Sequence, residues 1–84
     1  MSYETVVERK ARKAIARLPS TVYGRITNAI GGLTEDPHPQ NSLKLQGRDG
    51  YRLRVGDYRI IYQVDDEAGE VRVLEVWHRQ RDYR

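Results

Sequence analysis

The 84-residue chain contains no cysteine. That excludes disulfide staples and thiolate metal sites, and leaves secondary-structure packing alone to offset the conformational entropy lost on folding. With two histidines, His38 and His78, it is also too poor in ligands for a transition-metal site. Long apolar runs are missing too. None approaches the ~20 residues needed to cross a bilayer, and no apolar stretch follows Met1-Ser2-Tyr3-Glu4 as in a secretory signal. These absences point to a cytoplasmic protein in a reducing compartment. No break in composition divides the chain, so residues 1–84 read as one domain. At this size folding buries only ~60–65% of the surface that the unfolded chain exposes, so the core must be thin.

What is present is arginine. Lysine and arginine together number 15 against 12 aspartates and glutamates, a formal net charge of +3. The excess is modest, so placement matters more than the total. Arginine predominates, and its planar fork suits bidentate contacts to phosphate better than the point charge of lysine.

Hydrophobic periodicity divides the chain in two. Tyr3 to Val7 is a short β-prone run. Ala11, Ala14, Ile15 and Leu18 then recur at helical spacing, and Pro19 ends that helix. Ser20 or Thr21 can cap a second helix with Val22, Ile26, Ala29, Ile30 and Leu33 on one stripe, and its glycines predict an end near Gly31. Asp36-Pro37-His38-Pro39 must be a loop, because two prolines remove donors and extend the residues before them. Three strands follow, Tyr51 to Val55, Tyr58 to Asp65 and Val71 to Arg79. The pattern predicts an α+β fold: an N-terminal helical hairpin on one face of a twisted antiparallel sheet of about four strands, the first strand joining an edge.

Turn chemistry fixes which side chains share a face. Gly56-Asp57 reads as a two-residue hairpin loop pairing Val55 with Tyr58, hence Leu53 with Ile60, Tyr51 with Tyr62, Arg54 with Arg59 and Arg52 with Ile61. Glu67-Ala68-Gly69 reads as a three-residue loop pairing Asp66 with Glu70, which sets Trp77 opposite Arg59 and brings Glu75 and Arg79 to that face. A loop one residue longer or shorter reverses the faces of this last strand. Arg54 directly across from Arg59 is unfavourable unless an anion or a carboxylate lies between them. Either the face is solvated, with Glu75 as counter-charge, or Arg52, Arg54, Arg59 and Arg79 around Trp77 form a nucleic-acid site in which arginine neutralises phosphate and the ring stacks a base. Trp77 by itself reads as packing. His78 has the chemistry of an acid or base near neutral pH, but it alternates onto the core face with Leu74 and Val76, where a packed histidine fits equally well. His38, between two prolines, reads as solvated.

Three stretches, Lys44-Leu45-Gln46-Gly47, Tyr51 through Tyr62 with its Gly-Asp-Tyr-Arg hairpin, and Val76-Trp77-His78-Arg79-Gln80-Arg81-Asp82-Tyr83, resemble the RelE/ParE toxin superfamily. The resemblance spans essentially the whole chain and is nearest to the RelE-like members. It implies a toxin of a type II toxin–antitoxin pair that cuts messenger RNA in the ribosomal A site, without metal or other cofactor, and is held inactive in a hetero-oligomer with a RelB-like antitoxin. It also implies attack of a ribose 2′-hydroxyl on the adjacent phosphate. Carried over residue by residue, Arg54, Arg59, Arg79 and Tyr83 are the catalytic candidates. Lys44, Arg52, Trp77 and Arg81 are the RNA contacts, and His78 is a further acid–base candidate. The chain departs from the pattern where RelE proteins carry lysines and this one has Arg52 and Arg54. Arginine stays protonated and is a poor general base, so Arg54 is expected to stabilise charge, with Tyr83, His78 or water as base. The competing reading is a ParE-like poison of DNA gyrase, or an RNA-binding homologue that has lost catalysis.

Overall fold

The computed structural model describes residues 2–80. Its elements are β1 (Glu4–Val7), α1 (Arg9–Ala16), α2 (Ser20–Gly32), β2 (Ser42–Lys44), β3 (Tyr51–Val55), β4 (Tyr58–Asp65) and β5 (Glu70–His78). The strands form one sheet in the order β1-β5-β4-β3-β2. Two helices on an open sheet is the expected architecture. The sheet has five strands and is mixed, because β1 pairs in parallel with β5 (Glu4 with Glu70, Val7 with Val73) while every other pair is antiparallel. The fifth strand, β2, is three residues long, too short to carry an alternation that periodicity could detect.

Both helices lay their apolar stripes on one face of the sheet. Ala11 and Ile15 of α1, Ile26 and Ile30 of α2 and Leu33 after it close over Leu53, Tyr58, Ile60, Tyr62, Val71, Val73 and Val76. Neither Ser20 nor Thr21 caps α2. The Pro19 carbonyl starts the helix instead, accepting from the Val22 and Tyr23 amides at 3.0 and 2.8 Å, and no side-chain capping bond forms. The helix ends at Gly32, close to the glycine-weakened position expected. Among the described residues no helix is long and apolar enough to cross a membrane.

The β3–β4 hairpin has the expected register at all five pairs. The β4–β5 hairpin does not. Asp65, not Asp66, pairs with Glu70, so the loop holds four residues rather than three. A bulge between the Ile61–Glu75 and Tyr62–Val73 pairs then restores the original phase, leaving Leu74 as the extra residue. Trp77 therefore does lie opposite Arg59, and His78 lies opposite Tyr58 on the helix-covered face. The longer turn is stabilised by an Asp65 carboxylate oxygen that accepts from the Ala68 amide at 3.0 Å, and by Gly69 at φ 66°.

A candidate nucleic-acid interface on the uncovered face

Because opposed residues point the same way, the register defines the contents of the face that the helices leave uncovered. One row runs Leu43–Arg52–Ile61–Glu75 across β2, β3, β4 and β5, and the next runs Arg54–Arg59–Trp77. Arg79 extends this face past the end of β5, where its amide donates to the Asp57 carbonyl at 2.7 Å. The structure thus brings Arg52, Arg54, Arg59, Arg79 and Trp77 together.

Glu75 is not their counter-charge. Its carboxylate instead faces Lys10 at 3.9 Å and Arg48 at 3.7 Å. Among the described residues no carboxylate pairs with Arg52, Arg54, Arg59 or Arg79. Arg72, at the other end of the same face, shows what a structural arginine looks like in this protein. It is held by both Glu8 and Glu70, the latter at 2.8 Å, and its affinity for its proton is raised by those two bonds.

Arg59 is the most constrained of the four. It is only 8% exposed, and its Nη1 donates to the carbonyls of Gly56 (3.1 Å) and Tyr58 (2.9 Å). Burial lowers its pKa first, then the positive charges of Arg54, Arg52 and Arg79, against a smaller opposing effect of Asp57. A desolvated cation among like charges is an unsatisfied demand for an anion. Gly56, at φ 58°, is required in the turn that accepts this bond. A β-carbon there would also lie 2.6 Å from a guanidinium nitrogen of Arg25, so α2 sets a further cation above the hairpin turn.

Beside the arginines lies a cleft of about 270 Å³ lined by Gln40, Asn41, Leu43, Arg52, Arg54 and Arg59. Its loop wall is tied to the sheet at several points. The Arg54 amide donates to the Asn41 carbonyl (3.2 Å) and the Asn41 side-chain amide donates to the Arg54 carbonyl (2.7 Å). Ser42 caps the Pro39 carbonyl with its hydroxyl at 2.7 Å, and the Tyr62 hydroxyl donates to the Pro37 carbonyl at 2.7 Å. His38 sits edge-on to Tyr51, which stacks on Tyr62. It is exposed, as expected, but in ring contact rather than free in solvent.

Lys44 does not join the cluster. It pairs with Tyr51 and so belongs to the opposite face, whereas its neighbour Leu43 shares the arginine face. His78 is half-buried, in edge contact with Tyr58 at 4.9 Å, and its Nδ1 accepts from the Gln80 amide at 3.1 Å. Arg81 and Tyr83 lie outside the described residues. Gln40, Asn41, Leu43 and Arg25 went unread in the sequence. Leu43 alone carried a signal, an apolar side chain on a segment otherwise polar from Gln40 to Lys44, but nothing in the sequence shows that residues 42–44 form a strand.

The chain is thus a small α+β protein with a helical pair on one face of its sheet and, on the other, an arginine cluster that no carboxylate among the described residues neutralises. The model of the ParE toxin family of type II toxin–antitoxin systems matches residues 6–83, and the chain belongs to that family. Within it the chain is RelE-like. It is 30% identical to toxin RelG of Mycobacterium tuberculosis over 86 aligned positions, covering 100% of this chain and 99% of the relative. The RelE of the archaeal RelE–RelB complex from Pyrococcus horikoshii superposes with a TM-score of 0.81 at 31% identity, over 96% of this chain and 99% of that one. Isolated Escherichia coli RelE superposes with a TM-score of 0.82 at 30% identity, over 96% and 88%.

Proposed function

We propose that this toxin is a ribosome-dependent messenger RNA endonuclease, cutting in the A site by attack of a ribose 2′-hydroxyl on the adjacent phosphate. The observation that carries this reading is the set of four arginines on one sheet face with no carboxylate among the described residues to neutralise them, while Arg72 on the same face has two. In-line attack builds charge on the equatorial phosphate oxygens, and fixed cations stabilise that charge without having to reorganise. Arg59, with Nη1 held by two carbonyls, supplies such a preset charge. Arg54 and Arg79 flank it, Arg52 and Arg81 hold neighbouring phosphates, and Trp77 offers a ring for a base.

A proton must leave the 2′-hydroxyl and another must reach the departing 5′-oxygen. Tyr83 is assigned to one of these transfers. His78 is a poor candidate for the other, since its Nδ1 is engaged and its ring lies on the helix-covered face. Because arginine cannot act as a base at neutral pH, alignment by the ribosome-bound message supplies much of the rate. The P. horikoshii RelE is in complex with RelB. By analogy we assign this chain a cognate RelB-like antitoxin that holds it inactive in the cytoplasm as a hetero-oligomer.

The test is a reconstituted translation reaction. Purified toxin at equimolar dose cuts messages on ribosomes, yields 2′,3′-cyclic phosphate ends, and leaves free RNA and gyrase untouched. Intact messages together with blocked supercoiling would replace this reading by the gyrase poison that the family's name equally admits.

A further inference from the structure

The geometry points to a nucleobase subsite in the cleft between the 40–43 segment and the arginines, with Gln40 reading the base edge and Leu43 covering its face. The inference rests on the RNA-cleaving function proposed above and adds to it a source of sequence preference.

Three observations carry it. The first is size: at about 270 Å³ the cleft falls just short of the roughly 300–1,000 Å³ of drug-sized ligand sites, which suits a single planar base. The second is composition. Leu43 is 60% exposed, one of two large apolar side chains so exposed among the described residues, and it sits directly opposite Arg52. An apolar surface beside a cation that binds phosphate is what a nucleotide needs, since its base is flat and poorly hydrated while its phosphate is charged. The third is preorganisation. Asn41 is bound to Arg54 through both backbone and side chain, Pro39 accepts from Ser42, and Pro37 accepts from Tyr62, so the wall that presents Gln40 is fixed before any ligand arrives. With Asn41 occupied in holding the loop, Gln40 is the exposed amide able to offer paired donor and acceptor groups, the pattern by which glutamine distinguishes bases.

Two substitutions separate reading from covering. Gln40→Leu keeps the size and removes the amide, so preference at one message position should collapse, with cutting of the favoured base down about tenfold and of the others little changed. Leu43→Ala should weaken cutting at every base several-fold while the preference stays, because covering a base face is sequence-tolerant. Both side chains are exposed, so neither change removes core packing.

Cleavage sites are mapped on ribosomes programmed with messages that carry each base at each A-site position. In parallel, quenching of Trp77, the one tryptophan, reports binding of RNA trinucleotides that differ at a single base. Base-dependent binding abolished by Gln40→Leu supports the subsite even if no message is cut, a result that would sink only the nuclease reading. Trinucleotide binding that is blind to base identity in the parent, or a Gln40→Leu cleavage profile unchanged in shape, overturns the subsite whether or not the toxin is a nuclease.

Discussion

Arg59 is the residue at which the proposed chemistry can be separated from charge and from stability. Its Nη1 is committed to the Gly56 and Tyr58 carbonyls at 3.1 and 2.9 Å, so the guanidinium is oriented by the protein and not by the RNA. A donor preset in this way contributes about 2.7–4 kcal/mol to a transition state, so Arg59→Ala should slow single-turnover cleavage on programmed ribosomes by about 10²–10³-fold. RNA affinity should fall far less, since only one of several phosphate contacts is lost. Arg59→Lys keeps the charge but not the fork. A compact ammonium group cannot hold the same carbonyls and present a planar edge to phosphate, so a loss of about 10-fold or more is expected. Stability should hardly move. Removing Arg59 relieves repulsion from Arg54, Arg52 and Arg79, a few tenths of a kcal/mol for each close pair, and this offsets much of what its carbonyl bonds contribute. Arg12→Ala, on the exposed side of α1, is the charge-matched control. Equal losses for Arg12→Ala and Arg59→Ala, or parental rates for Arg59→Lys, would refute the argument.

Three further outcomes test the site's surroundings. Tyr62→Phe removes the hydroxyl that satisfies the Pro37 carbonyl, at a cost of about 1–2 kcal/mol, so Tm in a calorimetric melt should drop by roughly 4–15 °C. Burial raises the Tyr62 pKa above 10.0, so its contribution is intact below that pH and lost as pH rises through the raised value. Urea midpoints should therefore fall less steeply on the alkaline side in the Phe variant than in the parent. Gly50→Ala and Gly69→Ala both place alanine at positive φ, but a β-carbon at Gly50 meets the Tyr62 carbonyl oxygen at 2.7 Å while Gly69 faces open space. Gly69→Ala should cost about 1–2 kcal/mol and Gly50→Ala considerably more, and equal denaturation midpoints would contradict this. Arg54→Lys should retain activity, and its ammonium, depressed by the adjoining arginines, should add a rise in rate toward alkaline pH that the parent lacks. Arg54→Gln should be strongly impaired. Loss of activity in Arg54→Lys would remove the electrostatic account of this position, and a pH profile superimposable on the parent's would show that the adjoining arginines do not depress the new ammonium.

The face that carries the site was legible because the Gly56-Asp57 turn has a unique solution. A two-residue loop with glycine first leaves one pairing for β3 and β4, and that pairing alone puts Arg52, Arg54 and Arg59 together. The position of Trp77 followed from a wrong premise. The β4–β5 loop is one residue longer than the glycine at its end suggested, which alone would have turned Trp77 toward the helices. The bulge at Leu74 reverses the faces again. The bulge is written in β5 only as a change of phase: Val71 and Val73 are buried in one alternation and Val76 in the other, with Arg72 and Glu75 as their outward neighbours, and a register counted from the turn at a constant period of two cannot detect such a change. Beyond the bulge the phase is the one that leaves Trp77 and Arg79 among cations instead of burying them.

The 40–43 wall was illegible for a different reason. Local propensity could identify Pro37 and Pro39 as loop residues, but not where the loop would come to rest. That is set by long-range partners: Tyr62 for Pro37, Tyr51 for His38 and Arg54 for Asn41. Each is 13 or more residues away in sequence, and each lies on the β3–β4 hairpin. The hairpin that displays the arginines therefore also anchors the segment beside them. Tyr51 and Tyr62 point to the helix-covered side, while Arg52 and Arg54 alternate to the other. The β3–β4 hairpin thus couples the packing of the loop to the placement of the charges, and a substitution at Tyr62 of β4, which never faces the cleft, should be felt at Gln40.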